Sequence, residues 1–436
     1  MSAAQLSIVF FLQMAVIIAA CRLVGWVAKR YLGQPQVVGE MIAGVILGPS
    51  LLGALAPGVQ GMLFPPDSKN VLFVGAQFGV GLYMFLVGLG FQAGHFRANA
   101  GSAAAVSISG MAAPFLLAIL VTPWLMGMPG LFNPDLSPYQ ATLFMGACIA
   151  ITAFPMLARI IHERGLSGTP LGTLSLSAGA IDDAGAWVVL AIVLATFGDG
   201  PMVAVKAIVG GAAFALFMLT LGPRLLAPLG RMAERQGGVG HGLLAITLIL
   251  FLLSAFAMDA IGIHAVFGGF ILGTVMPRGL FATEIKRQVE PFATVILLPM
   301  FFTYSGLHTQ LTLVDNTGLL LATLVILAAS ILAKGGACWA AARLTGQDNA
   351  TALGIGALMN ARGLMELIII NIGLQRGIIG PALFAMLVLM AIITTLMASP
   401  LFELVHGRKA RARGELGGLT EAGDDADTGL KRATSP

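Results

Sequence analysis

The sequence predicts an all-α polytopic membrane protein of about 13 transmembrane helices arranged as an inverted repeat with two broken helices. Three observations predict it: the composition, the alternation of basic loops along the chain, and a glycine-rich hexamer that recurs seven spans apart. Of 436 residues 57% are hydrophobic and 10% charged, with mean hydropathy +0.91, whereas soluble domains carry about 25% charged residues. The 24 basic and 20 acidic residues cannot cover two or three soluble domains of this total length. A soluble enzyme or nucleic-acid binder is therefore excluded.

A helix needs about 20 apolar residues to cross about 30 Å of hydrocarbon. Divided at its polar, Pro and Gly punctuation, the chain gives spans at 5–28, 36–55, 70–92, 99–127, 138–161, 170–197, 201–221, 240–259, 262–277, 290–307, 316–343, 349–375 and 378–405. The first run ends in Ala28-Lys29-Arg30 with no small-residue cleavage site, so it reads as a retained helix and not a signal peptide. Loops after odd-numbered spans hold 16 Lys and Arg, from Lys29 to Arg413, against Lys69 and Arg376 after even-numbered ones. The positive-inside rule then puts the N-terminus outside and the C-terminus in the cytoplasm. It also accounts for the pI near 9.1 without nucleic acid.

Residues 407–436 are polar and block-charged and read as a disordered cytoplasmic tail, leaving no room for a nucleotide-binding domain. Cys21, Cys148 and Cys338 stand far apart in apolar stretches and read as packing residues rather than a disulfide or zinc framework.

Span 2 contains Ala43-Gly44-Val45-Ile46-Leu47-Gly48 and span 9 contains Gly268-Gly269-Phe270-Ile271-Leu272-Gly273. Seven is odd, so matched spans cross in opposite directions, as in the inverted repeats of secondary transporters. The repeat pairs spans 4, 5 and 6 with spans 11, 12 and 13. Spans 5 and 12 are the most interrupted, at Ile151-Thr152-Ala153-Phe154-Pro155 and Asn360-Ala361-Arg362-Gly363. Pro155 cannot donate to the Ile151 carbonyl, and Asn360 and Gly363 favour non-helical backbone. Broken helices at membrane depth are tolerated where they line a protein-enclosed or hydrated cavity.

Few ionisable residues fall deep in the spans. Asp182 and Asp183 are adjacent near the middle of span 6, where each carboxylate costs about 3 kcal/mol in lipid before their mutual repulsion. Helix neighbours point about 100° apart, so one Asp can pair with a cation while the other faces a cavity and exchanges a proton for a metal cation. Lys334 in span 11 is the natural partner by depth and by its place in the repeat. Arg362 and Glu366, four residues apart in span 12, either satisfy each other or hold the unwound segment in place. His264 and His308 lie at span ends and read as polar edge residues rather than metal ligands.

Together these residues resemble a monovalent cation/proton antiporter of the cation:proton antiporter-2 family over about residues 7–405. The motifs are Gly39-Glu40 with Gly44 and Leu47-Gly48-Pro49, Thr152-Ala153-Phe154-Pro155 with Leu157-Ala158-Arg159, Ile181-Asp182-Asp183, Lys334, and Asn360 to Glu366. The resemblance implies that the two broken helices cross within a core domain of about 99–197 and 316–405. It implies a dimerisation domain of about 5–92 and 240–307 and a linker helix at about 201–221. It further implies a homodimer in the bilayer, elevator-like alternating access, no cofactor, and sodium, lithium or potassium exchanged for protons. Carried over by position, Asp183 is the cation and proton ligand, Asp182 the partner of Lys334, and Thr152 a polar group at the crossover. Pro155, Asn360, Arg362 and Glu366 support it.

The Asp-Asp pair resembles electrogenic members, whereas the span 5 and 12 motifs look like plant exchangers that handle potassium. Composition fits a bacterial inner membrane. Two other classes compete. A gated cation channel of the same fold has no need of a lysine-paired carboxylate. An intramembrane aspartyl protease needs aspartates on facing helices, one within Gly-x-Gly-Asp; here they are adjacent, and Phe197-Gly198-Asp199 lacks the first Gly. The expectation is a transporter and not an enzyme.

Overall fold

The computed structural model describes residues 2–32, 34, 36–90, 93–166, 169–194, 201–262, 265–309, 313 and 316–407. His264, the Phe197-Gly198-Asp199 segment and the tail from Arg408 onward lie outside the described residues. The first half runs α1 (Ala3–Leu32), α2 (Gln36–Leu47), α3 (Leu52–Leu55), α4 (Pro57–Leu63), α5 (Pro66–Gly90), α6 (Ala93–Met126), α7 (Pro138–Ala150), α8 (Phe154–Glu163) and α9 (Pro170–Leu194). It continues through α10 (Pro201–Thr220) and α11 (Gly222–Gln236) to α12 (His241–Ile261), α13 (Ala265–Val275), α14 (Leu280–Phe292) and α15 (Leu298–Gly306). The last third comprises α16 (Thr317–Ser330), α17 (Gly336–Leu344), α18 (Asn349–Leu358), α19 (Leu364–Gln375) and α20 (Pro381–Phe402). Single π turns join α14 to α15 at Ala293–Leu297 and α16 to α17 at Ile331–Gly335.

Among the described residues there is no strand, and eight helical stretches are long and apolar enough to cross a bilayer. A ninth is added if the bent pair Val209–Thr220 and Gly222–Gln236, 47° apart, is one span. Several boundaries differ from the sequence reading for local reasons. The helix expected over 36–55 stops at Leu47 because Pro49 has no N–H to donate and its ring crowds the turn before it. The loop after span 7 is itself helical: α11 turns Leu226, Leu229 and Ala233 inward and ends at Gly237, whose φ of 67° is a left-handed cap.

The helices pack as two bundles. In one, α1, α2, α5, α12, α13 and α15 surround each other; in the other, α6 and α7 pack with α9, and α16 to α18 with α20. Helix α10 touches α9 on one side and α12 and α13 on the other.

The two matched hexamers perform the same job in the first bundle. Gly44 of α2 and Gly48 just after it lie so close to α15 that a Cβ on either would come within 2.2 Å of the Phe302 or Gly306 carbonyl oxygen. Gly269 and Gly273 of α13 approach α5 in the same way, at 2.6 Å from the Gly81 oxygen and 2.2 Å from the Phe85 oxygen. Each hexamer thus docks on a helix from the opposite repeat, and the exchange is symmetric. The packing gives the repeat a physical reason: only Gly permits this approach of two backbones.

Candidate ion-binding site

The two interrupted spans are broken and meet. Helix α7 opens on a capping box, with Ser137 and Gln140 bonding each other's backbone and Pro138 in the first turn, and it ends at Ala150 before the non-helical Ile151-Thr152-Ala153. Helix α18 is capped by Asp348 and gives way to the non-helical stretch Ala361-Arg362-Gly363. The breaks touch through backbone: the Ala153 N–H donates to the Ala361 carbonyl at 3.1 Å. Pro155 falls in the first turn of α8, where a missing N–H costs nothing because the first turn has no intrahelical partner to donate to.

Broken helices leave their last carbonyls without partners. At the end of α7 two buried cations take them. Arg362 donates to the Cys148 oxygen at 3.0 Å and the Ile149 oxygen at 2.7 Å, and Lys334 donates to the Ala150 oxygen. Positive charge at a helix C-terminus is also favoured by the helix dipole. Arg362 reaches Ser330 Oγ as well and lies 3.6 Å from a Glu366 oxygen. The carbonyl contacts of Arg362 are thus closer than its approach to Glu366, whose oxygens accept no hydrogen bond among the described residues.

Lys334 sits in the π turn between α16 and α17, a bulge that recurs at functional sites. Its ammonium lies 2.8 Å from Asp182 Oδ2, with neither side chain exposed. Asp182 also accepts from Ser107 Oγ of α6 at 2.5 Å and Thr152 Oγ1 at 2.7 Å. The Thr152 hydroxyl additionally lies 3.1 Å from the Met359 carbonyl oxygen, tying the two breaks together.

Asp183 is the contrast. It is 2% exposed, and neither carboxylate oxygen has a hydrogen-bond partner among the described residues. Burial of a carboxylate without donors is costly, so a partner with positive charge is called for. Asn360, also buried, donates to the Gly356 oxygen at 2.9 Å and leaves its own oxygen without a donor. Glu366 lies in the first turn of α19, where a carboxylate favours the dipole.

Sequence reasoning did not find Ser107, Ser330 or Thr395. Thr395 Oγ1 of α20 donates to the Arg362 carbonyl at 2.9 Å and lies 3.0 Å from the Arg362 N–H. It pins the second break as Asp182 pins Thr152 at the first. The signal was present: Ile393-Thr394-Thr395 is the polar pair in span 13 that matches Ile181-Asp182-Asp183 in span 6. Cys21, Cys148 and Cys338 are buried and free, as expected. His308 lies against Tyr304, its Nδ1 2.9 Å from the Tyr304 carbonyl oxygen, and no cluster of three metal-ligating side chains occurs among the described residues.

Crossed broken helices enclosing two cation-capped carboxylates and one unpartnered carboxylate are the construction of an ion-coupled membrane transporter. Comparison with known proteins makes the class specific. The profile of the family described as "Sodium/hydrogen exchanger, transmembrane" matches residues 8–404, and the chain belongs to that family.

The chain is 39% identical over 394 residues to Na(+)/H(+) antiporter NhaS4 of Synechocystis, covering 90% of this chain and 95% of that protein. It is 34% identical to Cation/H(+) antiporter 19 of Arabidopsis thaliana over 91% of this chain and 49% of that protein. It is 31% identical to K(+)/H(+) antiporter 1 of Saccharomyces cerevisiae, over 91% of this chain and 46% of that one. The chain thus spans about half the length of these plant and yeast relatives. The solved sodium proton antiporter MjNhaP1 of Methanocaldococcus jannaschii superposes with TM-score 0.64 at 15% identity, over 96% of this chain and all of that one, which shows the shared fold. The protein is a multi-pass membrane cation/proton antiporter.

Proposed function

We propose that the protein exchanges sodium, lithium or potassium for protons at Asp183. One observation carries the reading: the crossover holds Asp182, Asp183, Glu366, Lys334 and Arg362, all buried, and among the described residues only Asp183 of these has neither a cation nor a hydrogen-bond donor beside it. With all five ionised the site has one negative charge in excess. One bound monovalent cation or one proton restores neutrality in a medium where an isolated charge is expensive. The two therefore compete for one carboxylate, which is the requirement for exchange. A channel of the same fold has no use for that competition. Thr152 and the Asn360 side-chain oxygen, at the two breaks, are the neutral oxygens available to share in holding the cation.

The same reading assigns 99–197 and 316–405 to a moving core and 5–92 and 240–307 to a dimerisation unit, with 201–221 linking them. Elevator-like access is supported by the seam between the bundles, where Phe154 of α8 meets Phe270 of α13 with ring centroids 5.1 Å apart. Few directional bonds oppose sliding there. Thirteen crossings with the N-terminus outside and a homodimer in a bacterial inner membrane complete the proposal, together with electrogenic exchange, which requires a second proton site besides Asp183.

The test uses everted vesicles holding an imposed proton gradient. Sodium, lithium and potassium are added in turn to vesicles containing the wild type or Asp183→Asn. The wild type dissipates the gradient with at least one of them, and the variant with none. Equal dissipation by the variant would remove Asp183 from the site.

A further inference from the structure

Glu366 shares with Asp183 the feature that singled that residue out. It is fully buried, and neither of its carboxylate oxygens accepts a hydrogen bond among the described residues. Its ion-pair partner Arg362 stands at 3.6 Å, and that guanidinium is committed to the Cys148 and Ile149 carbonyls and to Ser330. Asp182, by comparison, gathers an ammonium and two hydroxyls, all within 2.8 Å. Buried carboxylates that stay ionised are normally held by short, charge-assisted hydrogen bonds. Glu366 lacks them. The ionisable groups facing it are Arg362 from its own segment, Lys334 from the π turn and the Cys148 thiol of α7.

We propose that Glu366 is a second proton carrier, so that Asp183 and Glu366 each give up one proton for every monovalent cation bound. This rests on the reading of Asp183 as the exchange site and deepens it. The balance is complete: two carboxylic acids and one monovalent cation become two carboxylates, one bound cation and two protons released to the side the site faces.

Charge decides between the alternatives. If Asp183 alone exchanged, the cation-loaded and proton-loaded cores would carry the same charge, and transport would ignore the membrane potential. With Glu366 protonated as well, Arg362 keeps its charge uncompensated in the proton-loaded core. That core then carries one positive charge more than the cation-loaded one, and each cycle moves one charge. The link between the two carboxyls is electrostatic. A cation entering beside Asp183 disfavours a proton on Glu366 through the weakly polarisable core, and the Glu366 carboxylate then neutralises Arg362 where it caps α7.

The experiment measures stoichiometry from reversal potentials in proteoliposomes with set cation and pH gradients. Two protons per cation are expected for the wild type. Glu366→Gln is expected to lower this to one, losing its response to potential while still exchanging on a pH gradient. A wild type indifferent to potential would sink the electrogenic reading itself, whereas a Glu366→Gln variant that stays at two protons would overturn only the assignment of Glu366. Should that variant not fold, infrared titration of Asp183→Asn in a Glu40→Gln background decides: the second change removes the signal of Glu40, which is also buried, and Asp182 stays ionised against Lys334. One protonated-carboxyl band that disappears as pH rises is expected there. Its absence would overturn the proposal.

Discussion

Replacing Lys334 by Met should be among the most damaging single changes in the protein. Among the described residues the ammonium is the only full positive charge on Asp182, at 2.8 Å, and both side chains are excluded from solvent. Its removal leaves a buried carboxylate supported by two hydroxyls, a loss of about 3–5 kcal/mol. It also strips the Ala150 carbonyl of its partner at the end of α7, adding about 1–3 kcal/mol. Replacing Asp182 by Asn in the same molecule removes the stranded charge, so the double variant should be more stable than Lys334→Met alone by at least about 2 kcal/mol.

Thermal unfolding of the purified proteins in detergent, followed by tryptophan fluorescence, gives the comparison. A Lys334→Met protein within about 1 kcal/mol of wild type, or a double variant whose loss equals that of its two parents added together, would refute the reasoning.

Two further changes probe the scaffold and the crossover. Gly44→Ala puts a methyl 2.2 Å from the Phe302 carbonyl oxygen and should cost about 1–3 kcal/mol, whereas Gly61→Ala meets nothing within 4 Å and should cost none; parallel unfolding curves separate them. Thr152→Val keeps the shape of the side chain but removes the hydroxyl between Asp182 and the Met359 carbonyl. It should lower stability by about 1–3 kcal/mol and slow exchange in vesicles, and a variant with wild-type rate and stability would show the link to be idle.

What could be read from the sequence follows from how much each residue's surroundings are dictated by the bilayer. Charge is so costly in lipid that Asp182, Asp183, Lys334, Arg362 and Glu366 announce themselves by depth alone, and Pro155 and Gly363 mark breaks because helix is the default there. The hexamers at Gly44 and Gly269 disclosed the repeat through a packing need that leaves a sequence trace. Neutral hydroxyls leave much less. Ser107 and Ser330 are ordinary residues of membrane helices, and only the tertiary approach of α6 to α9, or of α16 to the second break, turns them into partners of Asp182 and Arg362. The π turn around Lys334 carries no clear local signature. That Arg362 caps α7 more closely than it pairs with Glu366 is likewise a contact between segments more than 200 residues apart.

The central claim is that cation and proton compete for the Asp183 carboxylate. The most direct measurement is the proton release that follows addition of a transported cation to purified protein in weakly buffered detergent solution, compared between wild type and Asp183→Asn. The wild type is expected to release protons in a saturable manner as the cation binds, and Asp183→Asn to release none. Saturable release of the same size from the variant would contradict the account.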